Sequence, residues 1–290
     1  MKYKLLLVLA TLIWGSSFVM VKDLTDVMAP AWLLAIRFVA ATVVMAAVCL
    51  VRREPLFDRE HIKYGIIIGL PLFMGYLFQT IGITDTTPGK NAFLTATYCV
   101  IVPFLTWAVD RKRPNRFNIV AALLCLSGIG LISLTGSFTI GFGDAMTLCC
   151  AVFYAVQILF MSKFGKGRNV VVLTVWQFAT VTAGSLMVAL VSAEPPTPAA
   201  MTPGVWLSFA YLAFIVTALA VFVQNIGLAN VEPATGGLLL SLESVFGVAF
   251  SIALGREPLT PRILVGFVVV FVAMVASEYL PAKLERRRTS

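Results

Sequence analysis

The chain has 290 residues, of which 59% are apolar in type and only 12% carry charge, roughly half the charged share of a soluble domain. So few charges cannot build a water-facing surface, which excludes a soluble fold and puts the chain in a bilayer. The net charge of +8 would suit a nucleic-acid partner, but the placement of the basic residues accounts for it without one.

Ten apolar runs follow one another, approximately at 4–21, 30–51, 62–83, 88–109, 117–135, 142–162, 170–192, 204–227, 233–254 and 261–280. At about 20 residues each, they are long enough to cross a ~30 Å hydrocarbon core as helices. Lys2 and Lys4 precede the first run, as in a secretory signal. That run continues past signal length without a small-x-small cleavage site, so it reads as a retained helix.

With the N-terminus inside, ten spans put Lys2, Lys4, Arg52, Arg53, Arg59, Lys63 and the cluster Arg111, Lys112, Arg113 and Arg116 on one side. Lys163, Lys166, Arg168 and the tail residues Lys283, Arg286, Arg287 and Arg288 join them. The opposite side receives Lys22, Lys90, Arg256 and Arg262. This bias predicts that both termini are cytoplasmic in a bacterial-type inner or plasma membrane.

The chain also repeats itself. Gln79-Thr80-Ile81-Gly82, with Pro88 six residues on, returns as Gln224-Asn225-Ile226-Gly227 with Pro233 six residues on, an offset of 145. Five spans per half is an odd number, so the second half must enter the membrane upside down. The basic turn Asp110-Arg111-Lys112-Arg113 accordingly becomes Gly255-Arg256-Glu257-Pro258, and residues 52–63 become 192–204, which contain no Lys or Arg. The reading is an all-α membrane protein of two inverted repeats, 1–135 and 136–290, the sequence pattern of secondary transporters whose site lies between repeats.

The five cysteines, Cys49, Cys99, Cys125, Cys149 and Cys150, all fall within apolar runs and lack metal-ligand spacing. They read as packing residues, with no metal site and no cofactor implied. His61, the single histidine, reads as a solvated loop residue.

Trp14-Gly15-Ser16-Ser17-Phe18 in the first span, Phe78-Gln79-Thr80-Ile81-Gly82 with Lys90-Asn91-Ala92-Phe93-Leu94-Thr95 at the third-to-fourth junction, and Leu240-Ser241-Leu242-Glu243-Ser244-Val245-Phe246 in the ninth span resemble the motifs of EamA-type transporters of the drug/metabolite transporter superfamily. The resemblance covers essentially the whole chain. It implies ten helices, with the first to fourth and sixth to ninth around a central cavity and the fifth and tenth at the periphery. The family's usual Pro after the ninth-span glutamate is Ser244 here, which predicts the loss of a kink.

Polar groups at membrane depth need a reason, because helices satisfy their own backbones. Arg37 is such a group, either facing a cavity or snorkelling to headgroups at a centre-of-helix cost of ~2.5 to 3.5 kcal/mol. Glu243 lies mid-span, too short to reach water, and so must be protonated, paired or hydrated. It is the candidate for proton coupling, with a structural ion pair to Arg37 as the alternative. Asn91, Thr95, Tyr98 and Val102 form one stripe of the fourth span, and the offset superposes them on Gly236, Leu240, Glu243 and Gly247. Looser alignments pair Arg37 with Gln177 and Ser16 with Gln157, the latter near Trp14 and Tyr154. Gln79 and Gln224 are secondary candidates, read first as interhelical bonds worth ~0.6 kcal/mol each. Phe73 and Trp176 are candidates either for an apolar lining or for interface anchors. Ser127-Gly128-Ile129-Gly130 and Gly266 with Ala273 read as close-packing faces, within the chain or between two copies, which leaves monomer or homodimer open.

The function that follows is alternating-access export of small metabolites such as amino acids, with substrate class and direction taken from the resemblance. Uptake or exchange of sugar-linked or phosphorylated metabolites is the alternative, disfavoured by the single cation at depth. An enzyme lacks a nucleophile, base or metal cluster, and so no catalytic residue is expected. A scaffold would gain little from buried charges.

Overall fold

The computed structural model describes residues 1–111, 113, 116–133, 140–255 and 258–273. Eight helices are long and apolar enough to cross a membrane: α1 (Lys2–Thr25), α2 (Pro30–Val51), α3 (Arg59–Thr84), α4 (Pro88–Asp110), α6 (Phe142–Phe164), α7 (Val170–Ser192), α8 (Pro203–Leu228) and α9 (Pro233–Ala253). Two more apolar helices are shorter as described, one within α5 (Arg116–Ser133) and the other α10 (Pro261–Ala273). The end of the fifth predicted span, the end of the tenth, Lys112, Arg256, and the tail with Lys283 and Arg286 to Arg288 lie outside the described residues.

Five helices start with Pro at the first turn, at Pro30, Pro88, Pro203, Pro233 and Pro261, where its missing N–H costs no hydrogen bond. The side chains of Asp58 and Asn169 cap α3 and α7. Large apolar side chains such as Val43, Leu70, Met187, Leu190 and Phe271 are exposed on the outside, an apolar surface that only hydrocarbon would cover at no cost.

Contacts between the halves dominate the packing: α3 lies against α6 and α7, α2 against α7 and α8, α1 against α8 and α9, and α4 against α6 and α9. Glycines let α3 and α6 approach closely. A Cβ at Gly75 would fall 2.5 Å from the Tyr154 ring, and one at Gly143 would fall 2.6 Å from the Gly82 carbonyl oxygen. Leu7 and Ala10 of α1 are fully buried, with Leu7 against Gly227 of α8, so the first span belongs to the bundle. The small residues of α5 and α10 meet within the chain: a Cβ at Gly128 would lie 2.8 Å from Val270 and 3.0 Å from the Gly266 carbonyl.

Three helices are interrupted for a residue or two, each at a hydroxyl that bonds back to a carbonyl three residues earlier. Ser16 and Ser17 donate to Ile13 and Trp14 in α1 at 2.6 and 2.8 Å, Thr97 to Leu94 in α4 at 2.6 Å, and Ser241 to Leu238 in α9 at 2.7 Å. Such back-bonds compete with the helical ladder and bend it. The ninth span is therefore broken despite lacking the proline, three residues ahead of Ser244. Ser244 itself donates 2.5 Å to the carbonyl of Ala92, tying α9 to α4.

His61 departs from the solvated reading. Its Nδ1 lies 2.6 Å from Asp58 Oδ2, and its Nε2 accepts from the backbone N–H of Asn169 at 3.1 Å. It pins the start of α3 to the loop preceding α7, and its hydrogen bond holds the Asp58 carboxyl below the usual carboxylate range. Glu54 and Glu60 reinforce the junction by accepting from Asn169 and Arg168 at 2.6 and 2.7 Å.

Candidate functional site

A cavity with about 680 Å³ of empty space, its open end included, lies between the halves. Its wall comes from α1, α2, α3, α4, α6, α8 and α9. Of the residues singled out in the sequence, Trp14, Arg37, Asn91, Tyr98, Tyr154, Gln157 and Glu243 line it, and so do Gln79 and Gln224.

Arg37 is 3% exposed and folded inward, not extended toward headgroups. Its Nε donates to Thr217 Oγ1, and its guanidinium carbon stands 5.0 Å from the Tyr76 ring centroid and 5.7 Å from that of Phe38. Glu243 is 5% exposed and accepts from Tyr98 Oη at 3.0 Å. No ion pair joins Arg37 to Glu243 among those of the described residues; each has a different polar partner.

The amides form two networks. In the first, Tyr154 Oη donates to Gln79 Oε1 at 2.9 Å, and Gln79 Nε2 donates to Thr95 Oγ1 at 3.2 Å. Asn91 Nδ2 donates to Thr147 Oγ1 at 2.9 Å and to the Gln79 carbonyl at 3.2 Å. In the second, Gln224 Nε2 donates to Gln157 Oε1 at 3.0 Å, while Gln157 Nε2 is buried without a protein partner. Gln79 and Gln224 therefore make interhelical bonds and face the cavity as well.

Two candidates stand outside the wall. Thr95 lies behind Gln79, next to Cys150 at 3.8 Å. Gln177 turns to Asn225, whose Nδ2 donates to it at 2.7 Å, so α7 supports α8 and contributes nothing to the lining. The alignment of Arg37 with Gln177 thus joins a cavity residue to one that packs behind it. Of the aromatic candidates, Phe73 packs on Gly184 of α7, and Trp176 Nε1 donates to the Leu56 carbonyl at 2.7 Å.

Other lining residues escaped the sequence reading. Leu72, Tyr76, Thr80 and Ile83 line the cavity from α3 beside Gln79, a helical stripe on which Tyr76 stands one turn from Gln79. Beyond Asn91, Lys90 Nζ pairs with Asp144 Oδ2 at 2.6 Å, and Thr86 donates to Asp144 Oδ1 at 2.9 Å. Asp144 had no signal, because it is the third residue of a predicted helix.

The wall thus combines one guanidinium, one carboxyl, amides and aromatic rings, a set suited to holding a small amphipathic molecule. It has no serine, cysteine or histidine paired with a base for covalent chemistry.

The profile of the EamA-like transporter family matches the chain twice, over residues 1–134 and 141–277. The chain belongs to the EamA-like transporter family. It is similar to an uncharacterized transporter of Archaeoglobus fulgidus, at 30% identity over 269 residues, 93% of this chain and 83% of the relative. It is also similar to the uncharacterized inner membrane transporter YedA of Escherichia coli (strain K12), at 24% identity over 283 residues, 94% of this chain and 90% of the relative. A solved crystal structure with 17% identity matches the fold at a TM-score of 0.81, over 98% of this chain and 99% of the other. This EamA-like transporter is a multi-pass α-helical membrane protein, and its family is one of carriers and not of enzymes.

Proposed function

We propose that this chain is a secondary carrier that exports small polar or amphipathic metabolites, amino acids among them, by alternating access about the central cavity. The observation that carries the reading is the cavity between the halves, which holds Arg37 and Tyr98 on helices of the first half and Glu243, bonded to Tyr98, on a helix of the second, with aromatic walls around them. An amino acid presents an anion for Arg37, a cation for Glu243, and an apolar remainder for Trp14, Tyr76 and Tyr154. The unpartnered Gln157 Nε2 supports a polar occupant, since a buried donor left without an acceptor costs about 1 to 3 kcal/mol.

Two inverted five-helix units, 1–135 and 136–290, with both termini cytoplasmic, are the architecture this mechanism uses. Exchanging the halves converts the α3–α6 contact into α8–α1, α3–α7 into α8–α2, and α4–α6 into α9–α1, and all six contacts are present. The double family match and the 145-residue offset support the same division. Glu243 carries the coupling proton in this scheme. A phosphorylated substrate would need a second cation, and among the described residues Arg37 is the only Lys or Arg in the wall.

Purified protein in proteoliposomes, offered the twenty L-amino acids singly, should accumulate or exchange at least one of them. Chemical conversion of a compound, or no flux of any amino acid, would overturn the proposal.

A further inference from the structure

Residues Tyr211–Leu219 of α8 are wound as a π-helix, a rare geometry that recurs at functional sites. Thr217 marks the i−5 register with its side chain as well, since Oγ1 donates to the Leu212 carbonyl at 2.7 Å. The segment grips the first half of the chain at three points. Trp14 Nε1 donates to the Val216 carbonyl at 3.0 Å, the hydroxyls of Tyr211 and Ser16 meet at 2.6 Å, and Arg37 Nε donates to Thr217 Oγ1. Trp14 and Arg37 both line the cavity.

The hydroxyl of Thr217 has one hydrogen and two lone pairs. With the hydrogen committed to Leu212, it meets Arg37 as an acceptor. Arginine has five N–H donors in a planar fork. Engaging the single Nε–H restrains rotation of the guanidinium about its stem, with the Tyr76 hydroxyl also at the guanidinium, and turns toward the cavity an Nη edge whose paired N–H groups match a carboxylate. Thr217 is fully buried and does not line the cavity, so it would act on an occupant only through Arg37.

We infer that Thr217, held by the π-helical segment of α8, is the positioning residue that presents the Nη edge of Arg37 to the carboxylate of the transported molecule. The inference rests on the cavity being the substrate site.

The test uses proteoliposomes and, as probes, one transported L-amino acid and its carboxamide as competitor. Wild type should prefer the acid, and Thr217→Val should raise KM for the acid by about tenfold, the low end for a hydrogen bond to a charged group, with kcat nearly unchanged. Its preference for acid over amide should shrink toward that of Arg37→Gln, and Thr217→Val should add nothing in the Arg37→Gln background. Thr217→Ser should restore wild-type values. If the valine disturbs the π segment, Thr217→Ala makes the same comparison without a branched side chain. Loss of preference in Arg37→Gln but not in the Thr217 variants would overturn this inference alone. Undiminished preference in Arg37→Gln would remove the cavity reading, and this inference with it.

Discussion

Tyr98 and Glu243 meet across the cavity through a 3.0 Å hydrogen bond from Oη to Oε1, and they stand 145 residues apart, the offset that superposes the two halves of the sequence. Each lies just beyond an interruption of its helix, at Thr97 in α4 and Ser241 in α9. Positions one repeat offset apart thus carry a phenol and a carboxyl that bond to each other. The bond can persist whether the carboxyl is protonated or ionised, because Tyr98 donates in either case.

Glu243→Gln keeps the acceptor for Tyr98 but cannot release a proton. Net flux driven by a pH gradient in proteoliposomes should fall by about tenfold or more, a barrier increase of ~1.4 kcal/mol, while exchange at equal pH persists. Unchanged dependence on the gradient would assign the proton to another group. Tyr98→Phe removes the donor and should lower stability to thermal unfolding in detergent by about 0.6 to 1.5 kcal/mol.

Arg37→Gln should insert and fold, yet reduce amino-acid flux at least ~100-fold, the upper scale of a hydrogen bond to a charged group. Lysine at this position supplies charge and donors without the planar fork that holds a carboxylate bidentately, so Arg37→Lys should recover only part of the flux. Wild-type flux in Arg37→Gln would mean that no substrate group meets this side chain.

Gly143→Ala tests the contact between α3 and α6. The added Cβ would stand 2.6 Å from the Gly82 carbonyl oxygen and 3.0 Å from the Asp85 carbonyl carbon, backbone atoms that cannot turn away. Stability should drop by about 1 to 3 kcal/mol, measured as a lower midpoint of thermal unfolding in detergent. An unchanged midpoint would mean that the helices separate here at little cost.

Topology is tested with single cysteines in a cysteine-free background. A cysteine in place of Arg113, or in the 286–288 tail, should react with an impermeant reagent only after cells are permeabilised, and one within 194–201 should react in intact cells. Labelling of the tail from outside would contradict the inverted arrangement.

Membrane residence, the starts of most helices and the depth of Arg37 and Glu243 were determined by the sequence, because hydrocarbon enforces long apolar runs and prolines mark helix starts. The repeat offset matched Tyr98 with Glu243 as equivalent positions, but only the tertiary structure brought the two into contact. What remained belongs to tertiary packing. Periodicity told which residues share a face but not which helix that face meets, so Gln177 had the right chemistry and turned to Asn225 instead. Thr217 had no sequence signal, because its role depends on a π-helical register within α8 and on contacts with α1 and α2 from the other half of the chain. The ion pair open to Arg37 and Glu243 was likewise decided in three dimensions, where neighbouring hydroxyls on α8 and α4 engage each group separately.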